Sequence, residues 1–186
     1  MNIGIRTLEQ NEIDQAVDCF ARAIERDWPN NQNEAKNWIY DEFHHFNSII
    51  FGAFLDKELV GVCSLVVFNF VLAKLDKREG TLILEFFKDK FGIDKEKIIY
   101  LGGFGVKKKF ENLRVATKLF TFAEKTAINN GYKMLGGHTA RPSQKYGKIK
   151  GLDFALSMQM KELPLVEKIF LSHPSDLEKV WLYKII

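Results

Sequence analysis

The sequence predicts one α/β domain built on a mixed sheet, and three observations carry that prediction. Apolar segments of strand character alternate with amphipathic segments of helical period along the chain, in the order βααββ(α)βαβαββ. Two apolar runs flank a three-residue polar tip, Asp56-Lys57-Glu58, which is the pattern of a β-hairpin. A glycine-rich run ending at Val106 passes through Lys107-Lys108-Lys109 straight into an amphipathic helix. Such an order on one uninterrupted chain calls for a mixed sheet.

The elements follow in sequence. Residues 2–8 alternate, with Ile3 and Ile5 on one face of a strand. Asn11 offers an N-cap with Asp14 three residues on, a weak capping box. The helix behind it carries Ile13, Ala16, Val17, Phe20 and Ile24 at helical spacing and ends at Trp28-Pro29-Asn30-Asn31. A second helix, about 33–46, sets Trp38, Ile39 and Phe43 on one side. The hairpin spans 49–68. Residues 81–91, inside a segment at 76–93, read as an inserted helix with Leu82, Phe86 and Phe87 inward, bracketed by Gly80 and Gly92. A strand from Lys97 to Val106 leads to a helix with Val115, Leu119, Phe122 and Ala123 on its apolar face, stopped at Asn130-Gly131. Tyr132 to His138 reads as a strand and Pro142 to Lys150 as a short helix closed by Gly151. Phe154 to Met160 and Val180 to Ile186 read as the last strands.

Composition bounds the function. The 186 residues suffice for a full core, and 27 Lys and Arg against 24 Asp and Glu leave a net charge of only +3. That bias is too weak for a dedicated nucleic-acid binder. The 16 Phe imply either a bulky core or a hydrophobic channel. Cys19 and Cys63 form no CxxC and read as buried reduced thiols. The N-terminal stretch lacks the pattern of a signal peptide. The longest apolar stretch, Leu59 to Ala73, is interrupted by Ser64 and Asn69 and falls short of the roughly 20 residues of a spanning helix. A cytoplasmic location without membrane association is the expectation.

Three stretches are similar to the GNAT acyltransferase superfamily, and the element order they anchor covers nearly the whole chain. IGIRTLEQNEIDQAVDCF resembles the family's first strand and helix. FGAFLDKELVGVCSL resembles its hairpin, in which a Val-Gly pair opens the third strand. GFGVKKKFENLRVATKLF resembles its acyl-CoA signature, with Val106 at the strand end, Phe110 at the usual aromatic and Ala116 at the final small residue. Glu111 stands where the family prefers Gln or Arg, and Arg114 where it prefers Gly. The resemblance implies a single domain over 1–186 with a helical insertion at about 71–96. Its sheet would be mixed and mostly antiparallel, with helices on both faces and a V-shaped splay between the central strands.

The resemblance also implies a co-substrate, acetyl-CoA or another acyl-CoA, and no metal. A helix N-terminus supplies N–H groups and a positive dipole end to phosphates. Asn112, Leu113, Arg114, Val115, Ala116 and Thr117 would supply those groups here, with charge from Lys107, Lys108, Lys109, Arg114 and Lys118. The alternative is a solvated basic loop. Phe104, Gly105 and Val106 would line the pantetheine arm. Gly102, Gly103 and Gly105 mark either that close approach or tight packing of the inserted helix, with Gly136 and Gly137 across the gap.

Acyl transfer to an amine needs a base, a polarised carbonyl and a proton for the thiolate. His138, ending a strand, is the candidate base, or else a structural hydrogen-bonder. The resemblance makes Tyr146 the leaving-group acid, although it lies five residues before Gly151 where the family spacing is four. His44 and His45, with Asp41 and Glu42, either shape an acceptor site or form a solvated helix face; His173 reads as surface. The function implied is N-acyltransfer of an acetyl or longer group to a small-molecule or peptide amine by direct transfer. A GNAT-like binding or regulatory domain is the alternative. The final strand, with Trp181 and Tyr183, suits either a monomer or a homodimer.

Overall fold

The computed structural model describes residues 2–24, 32–141, 150–165, 169–170 and 178–186. Trp28-Pro29-Asn30-Asn31, Tyr146, most of the expected helix from Pro142 and His173 lie outside the described residues, as does the side chain of Trp38. Strand β1 (Ile3–Thr7) leads through a 3-10 turn (Gln10–Glu12) into α1 (Ile13–Ile24), and α2 (Gln32–His44) follows. β2 (Ile49–Leu55) and β3 (Glu58–Val67) form the hairpin, and α3 (Phe68–Lys74) and α4 (Lys77–Phe91) follow it. β4 (Ile98–Val106) is the glycine-rich strand, joined by a 3-10 turn (Lys108–Leu113) to α5 (Val115–Asn129). β5 (Met134–Ala140), α6 (Lys150–Ser157), β6 (Lys161–Glu162), β7 (Ile169–Phe170) and β8 (Glu178–Ile185) follow.

The sheet is mixed and mostly antiparallel. β1/β2, β2/β3, β5/β8, β6/β8 and β7/β8 run antiparallel, and β4/β5 runs parallel. The β4/β5 pairing covers Ile98↔Met134, Ile99↔Leu135 and Tyr100↔Gly136 and stops there, while β5 continues to Ala140 against β8. Among the described residues, no helix is long and apolar enough to cross a membrane.

The chain divides into two compact units, residues 1–66 with 101–129 and residues 67–100 with 130–186. The first unit gathers Val17, Phe20, Ile39, Phe43, Ile50 and Val62 into one buried cluster. Its β3 carries the Val60-Gly61 pair of the resemblance. A Cβ at Gly61 would sit 3.1 Å from both Val115 and Leu119 and 3.2 Å from the Gly105 carbonyl, so the missing side chain lets α5 lie close on the strand. The second unit is an aromatic lattice. Phe68 and Phe87 meet edge to face, Phe68 meets Trp181, and Phe86, Phe87 and Phe91 all pack on Tyr183. These phenylalanines therefore fill a core rather than line a channel.

Several expectations change. The helix start is capped not by Asn11 and Asp14 but by Glu9 and Glu12, one 3-10 turn earlier. The Glu12 carboxylate accepts the Glu9 N–H at 2.9 Å and the Arg6 guanidinium at 2.5 Å, and that guanidinium holds Glu12 down to about 2. The hairpin tip has two residues, since Leu55 pairs with Glu58 and Asp56 takes φ 57. The insertion helix starts at Lys77 behind an Asp76 cap, includes Gly80, and ends at Gly92 with φ 62. It buries Ile83 and Phe87, whereas Leu82 and Phe86 are half-buried. On α5 it is Phe120 that is buried; Phe122 is 36% exposed and meets Phe51 edge to face. The strand expected at Tyr132 begins at Met134 and reaches Ala140. Phe154 to Ser157 belongs to α6, not to a strand, and Gly151 lies inside that helix. In a run this short, Leu152 and Ala155 at helical spacing outweigh the alternation of Phe154, Leu156 and Met158.

Candidate functional site

In the first unit the site grows out of β4. Gly103 takes φ 46, a conformation that side chains other than glycine's rarely adopt and that kinks a strand locally. A Cβ on Gly102 would collide with the Glu42 carboxylate, one on Gly103 with the Phe43 ring, and one on Gly105 would lie 2.7 Å from Ala23. The glycines thus admit α1 and α2 against β4, where the sequence suggested the inserted helix. Phe104 and Val106 are half-buried and Gly105 is buried. The Lys107 N–H then donates to the Val60 carbonyl at 2.9 Å and fixes the exit from the strand.

The loop that follows is less open in charge than its lysines suggest. The Lys107 and Lys109 ammonium groups lie 3.3 and 3.0 Å from the Glu58 carboxylate, which they hold below the usual carboxylate range. Lys108, Arg114 and Lys118 are exposed. Asn112, exposed, and Leu113, half-buried, lie in the 3-10 turn, and Arg114 then adopts φ 57, ψ 24. That left-handed residue turns the chain into α5 and gives a conformational reason for glycine at the equivalent family position. Val115 is buried, Ala116 half-buried and Thr117 exposed. The first α-helical bond at this end runs from the Lys118 N–H to the Arg114 carbonyl at 3.1 Å. The N–H groups of Val115, Ala116 and Thr117 precede it and have no acceptor within the helix.

Glu42 is not on a solvated face. It is 6% exposed, and the fully buried Ser64 hydroxyl donates to its Oε1. Asp41 on the same helix is exposed. His44 stacks on Tyr40 with ring centroids 3.9 Å apart.

In the second unit His138 is half-buried and sits 2.5 Å from the Tyr100 hydroxyl through Nδ1. Desolvation, reinforced by the Lys179 ammonium, pushes its pKa down to about 3. The neutral imidazole shares a hydrogen bond with the Tyr100 hydroxyl at that nitrogen, its direction set by the tautomer. Trp181 packs against both rings and donates its indole N–H to Glu79 at 2.6 Å. Glu79 also accepts from Lys179 at 2.9 Å. Arg141, just beyond β5, bonds Glu162 at 2.8 Å and Glu178 at 3.2 Å. Cys19 and Cys63 are free and buried; burial pushes the Cys19 thiol up to about 11 and Cys63 higher still.

Sequence reasoning missed Ser64, Tyr100 and Glu79, and it named Glu42 without telling it apart from Asp41. The signal for the two glutamates was spacing. Glu42 lies three residues after Ile39 and beside Phe43, and Glu79 lies four and eight residues before Ile83 and Phe87, so each shares an apolar helical face.

The acetyltransferase (GNAT) family model matches residues 17–145, and the chain belongs to that family. Among solved structures, it is similar to the PaiA N-acetyltransferase from Thermoplasma acidophilum in complex with coenzyme A, at 13% identity over the whole of both chains and a TM-score of 0.65. It is similar to the ribosomal-protein-S18-alanine N-acetyltransferase from Escherichia coli at 9% identity, covering 100% of this chain and 94% of that one, TM-score 0.66. It is also similar to an acetyltransferase from Streptococcus agalactiae at 18% identity, covering 99% and 98%, TM-score 0.61. At these identities the likeness is one of fold. No curated protein matches the sequence.

Proposed function

We propose that this chain transfers an acetyl group directly from acetyl-CoA to an amine. The observation that carries the reading is the turn at Arg114. It brings the chain from the end of β4 into α5 so that three N–H groups open the helix, with exposed Lys108, Arg114 and Lys118 close by in sequence. Phosphates suit such a helix start. Phe104, Gly105 and Val106 lie just upstream as the stretch for the pantetheine arm. Glu111, half-buried in the 3-10 turn, adds no cation there. Acetyl is favoured over longer groups because the phenylalanines of the insertion are engaged with Tyr183 and Trp181 in a packed core.

Tyr146 keeps the role of protonating the departing thiolate. His138 takes a different one from that first expected. With a pKa near 3 it is a weak base at neutral pH, so it serves as a neutral partner that orients the Tyr100 hydroxyl. Release of free thiol from acetyl-CoA in the presence of a panel of primary amines tests the reading. Turnover with at least one amine, and a rise in melting temperature with CoA alone, is the expected result. A chain that neither binds CoA nor releases thiol with any amine contradicts it.

A further inference from the structure

Glu58 opens β3 at the hairpin tip, and the first unit sets it beside the loop that leaves β4. Two ties hold the elements together there. The Val60 carbonyl accepts the Lys107 N–H at 2.9 Å, and a Cβ on Gly61 would sit 3.1 Å from Val115 at the start of α5. Glu58 lies three residues before Gly61, about 10 Å along an extended strand. The main chain therefore places this carboxylate next to the lysine loop. Lys107, half-buried, and Lys109, exposed, both turn to it. The Lys107 ammonium lies 3.3 Å from Oε1, and the Lys109 ammonium lies 3.0 Å from Oε1 and 3.1 Å from Oε2. One carboxylate thus serves two ammonium groups, and one positive charge of the pair stays uncompensated.

These bonds are exchangeable. Surface ion pairs are individually weak, and each lysine carries its charge at the end of a flexible stem. The Lys107 main chain is fixed through Val60, so its ammonium can change partner by side-chain rotation alone. A carboxylate offers these lysines one negative charge, whereas a pyrophosphate offers at least two. We propose that Glu58 is an internal counter-anion: it holds Lys107 and Lys109 in the free protein and yields them to the phosphates of an incoming acyl-CoA. The assignment rests on the acetyl-transfer reading above. Its consequence is selective. A singly charged anion gains nothing by displacing an equal charge that is already in place, while a donor with several phosphates does. The contact keeps the loop from taking up simple anions and lowers the affinity for CoA below what the bare lysines would give.

Glu58→Gln removes the counter-charge and keeps the side-chain shape. Calorimetric titration with CoA should show affinity raised about 5-fold at low salt, the gain shrinking below about 2-fold at about 0.5 M salt. Asp56→Asn removes the same charge from an exposed position of the same tip, where φ is 57 and asparagine is well tolerated. It should change CoA affinity by less than about 1.5-fold, which separates a specific contact from net charge. A second readout needs no variant. In the wild type, carbon-detected NMR should follow the Glu58 carboxyl titrating below the usual carboxylate range, and CoA should move it upward as the lysines leave. No gain in Glu58→Gln, an equal gain in Asp56→Asn, or a Glu58 titration unmoved by saturating CoA overturns the assignment and leaves the acetyl-transfer reading intact. A wild type that does not bind CoA fails the underlying reading first and takes this assignment with it.

Discussion

Each unit buries a glutamate, and the two are handled differently. Glu79, 7% exposed on α4 in the second unit, accepts from the Lys179 ammonium and from the Trp181 indole of β8. Glu42, 6% exposed on α2 in the first unit, accepts from a neutral serine hydroxyl of β3 and lies against a glycine of β4. The first arrangement neutralises a charge at close range and fastens α4 to β8. The second sets a carboxylate against a neutral hydroxyl and the main chain at a glycine. A buried ion pair of the first kind contributes little net stability over an apolar substitute, but breaking it is costly. The contrast is between a carboxylate neutralised by an ammonium and one that accepts from a neutral hydroxyl.

The sharpest way to break that contrast is to remove Glu79. Glu79→Ala strands the Lys179 ammonium, whose side chain is only 10% exposed, and leaves the Trp181 N–H without its acceptor. A loss of about 3–5 kcal/mol in urea denaturation is expected. A loss below about 1 kcal/mol would remove the architectural role. Glu42→Gln, by comparison, should cost less than about 1.5 kcal/mol, because its bond to Ser64 survives.

Gly102→Ala sharpens the other half. The new methyl group must displace the Glu42 carboxylate, so overpacking should cost about 1–3 kcal/mol. An alanine variant as stable as wild type would mean that Glu42 moves freely, against the geometry described.

His138 supplies a third test, in acid. Its folded pKa near 3 lies below the ordinary 6.5, so the unfolded chain takes up a proton that the folded chain refuses. Its contribution to stability is therefore full above pH 6.5 and lost as pH falls toward 3, with a slope of up to about 1.4 kcal/mol per pH unit. His138→Gln should flatten the stability profile through that window. An unchanged slope would show that other groups carry the acid sensitivity.

The smallest effect is expected at Arg114. Its φ of 57 costs an arginine more than a glycine, so Arg114→Gly should stabilise the chain by about 0.5–1 kcal/mol in thermal or urea unfolding. A destabilised variant would show that the guanidinium makes contacts that outweigh the strained turn.

Much of the fold was legible because its signals are local. The Val60-Gly61 pair, the run Gly102 to Val106 and the αL stops at Gly92 and Gly131 each report a backbone requirement that sequence states directly. The site was legible only where it is made of main chain, at the start of α5. Glu42 was named with Asp41, His44 and His45 but not told apart from them, because together they have the composition of a solvated face and only the three-residue step from Ile39 points inward. Tyr100 was hidden because a tyrosine in an apolar strand reads as core, and its hydroxyl finds His138 through a pairing 38 positions away in sequence. Charge in the lysine loop was overcounted, since two of its three lysines answer to Glu58, a partner set by the hairpin.

Calorimetric titration of acetyl-CoA into the wild-type chain, repeated at rising salt, tests the acetyl-transfer reading most directly. A single saturable site whose affinity weakens as salt screens the phosphates, and whose binding is further reduced in Lys118→Glu at unchanged melting temperature, is the predicted result. No heat and no competition by CoA at any salt concentration would contradict it.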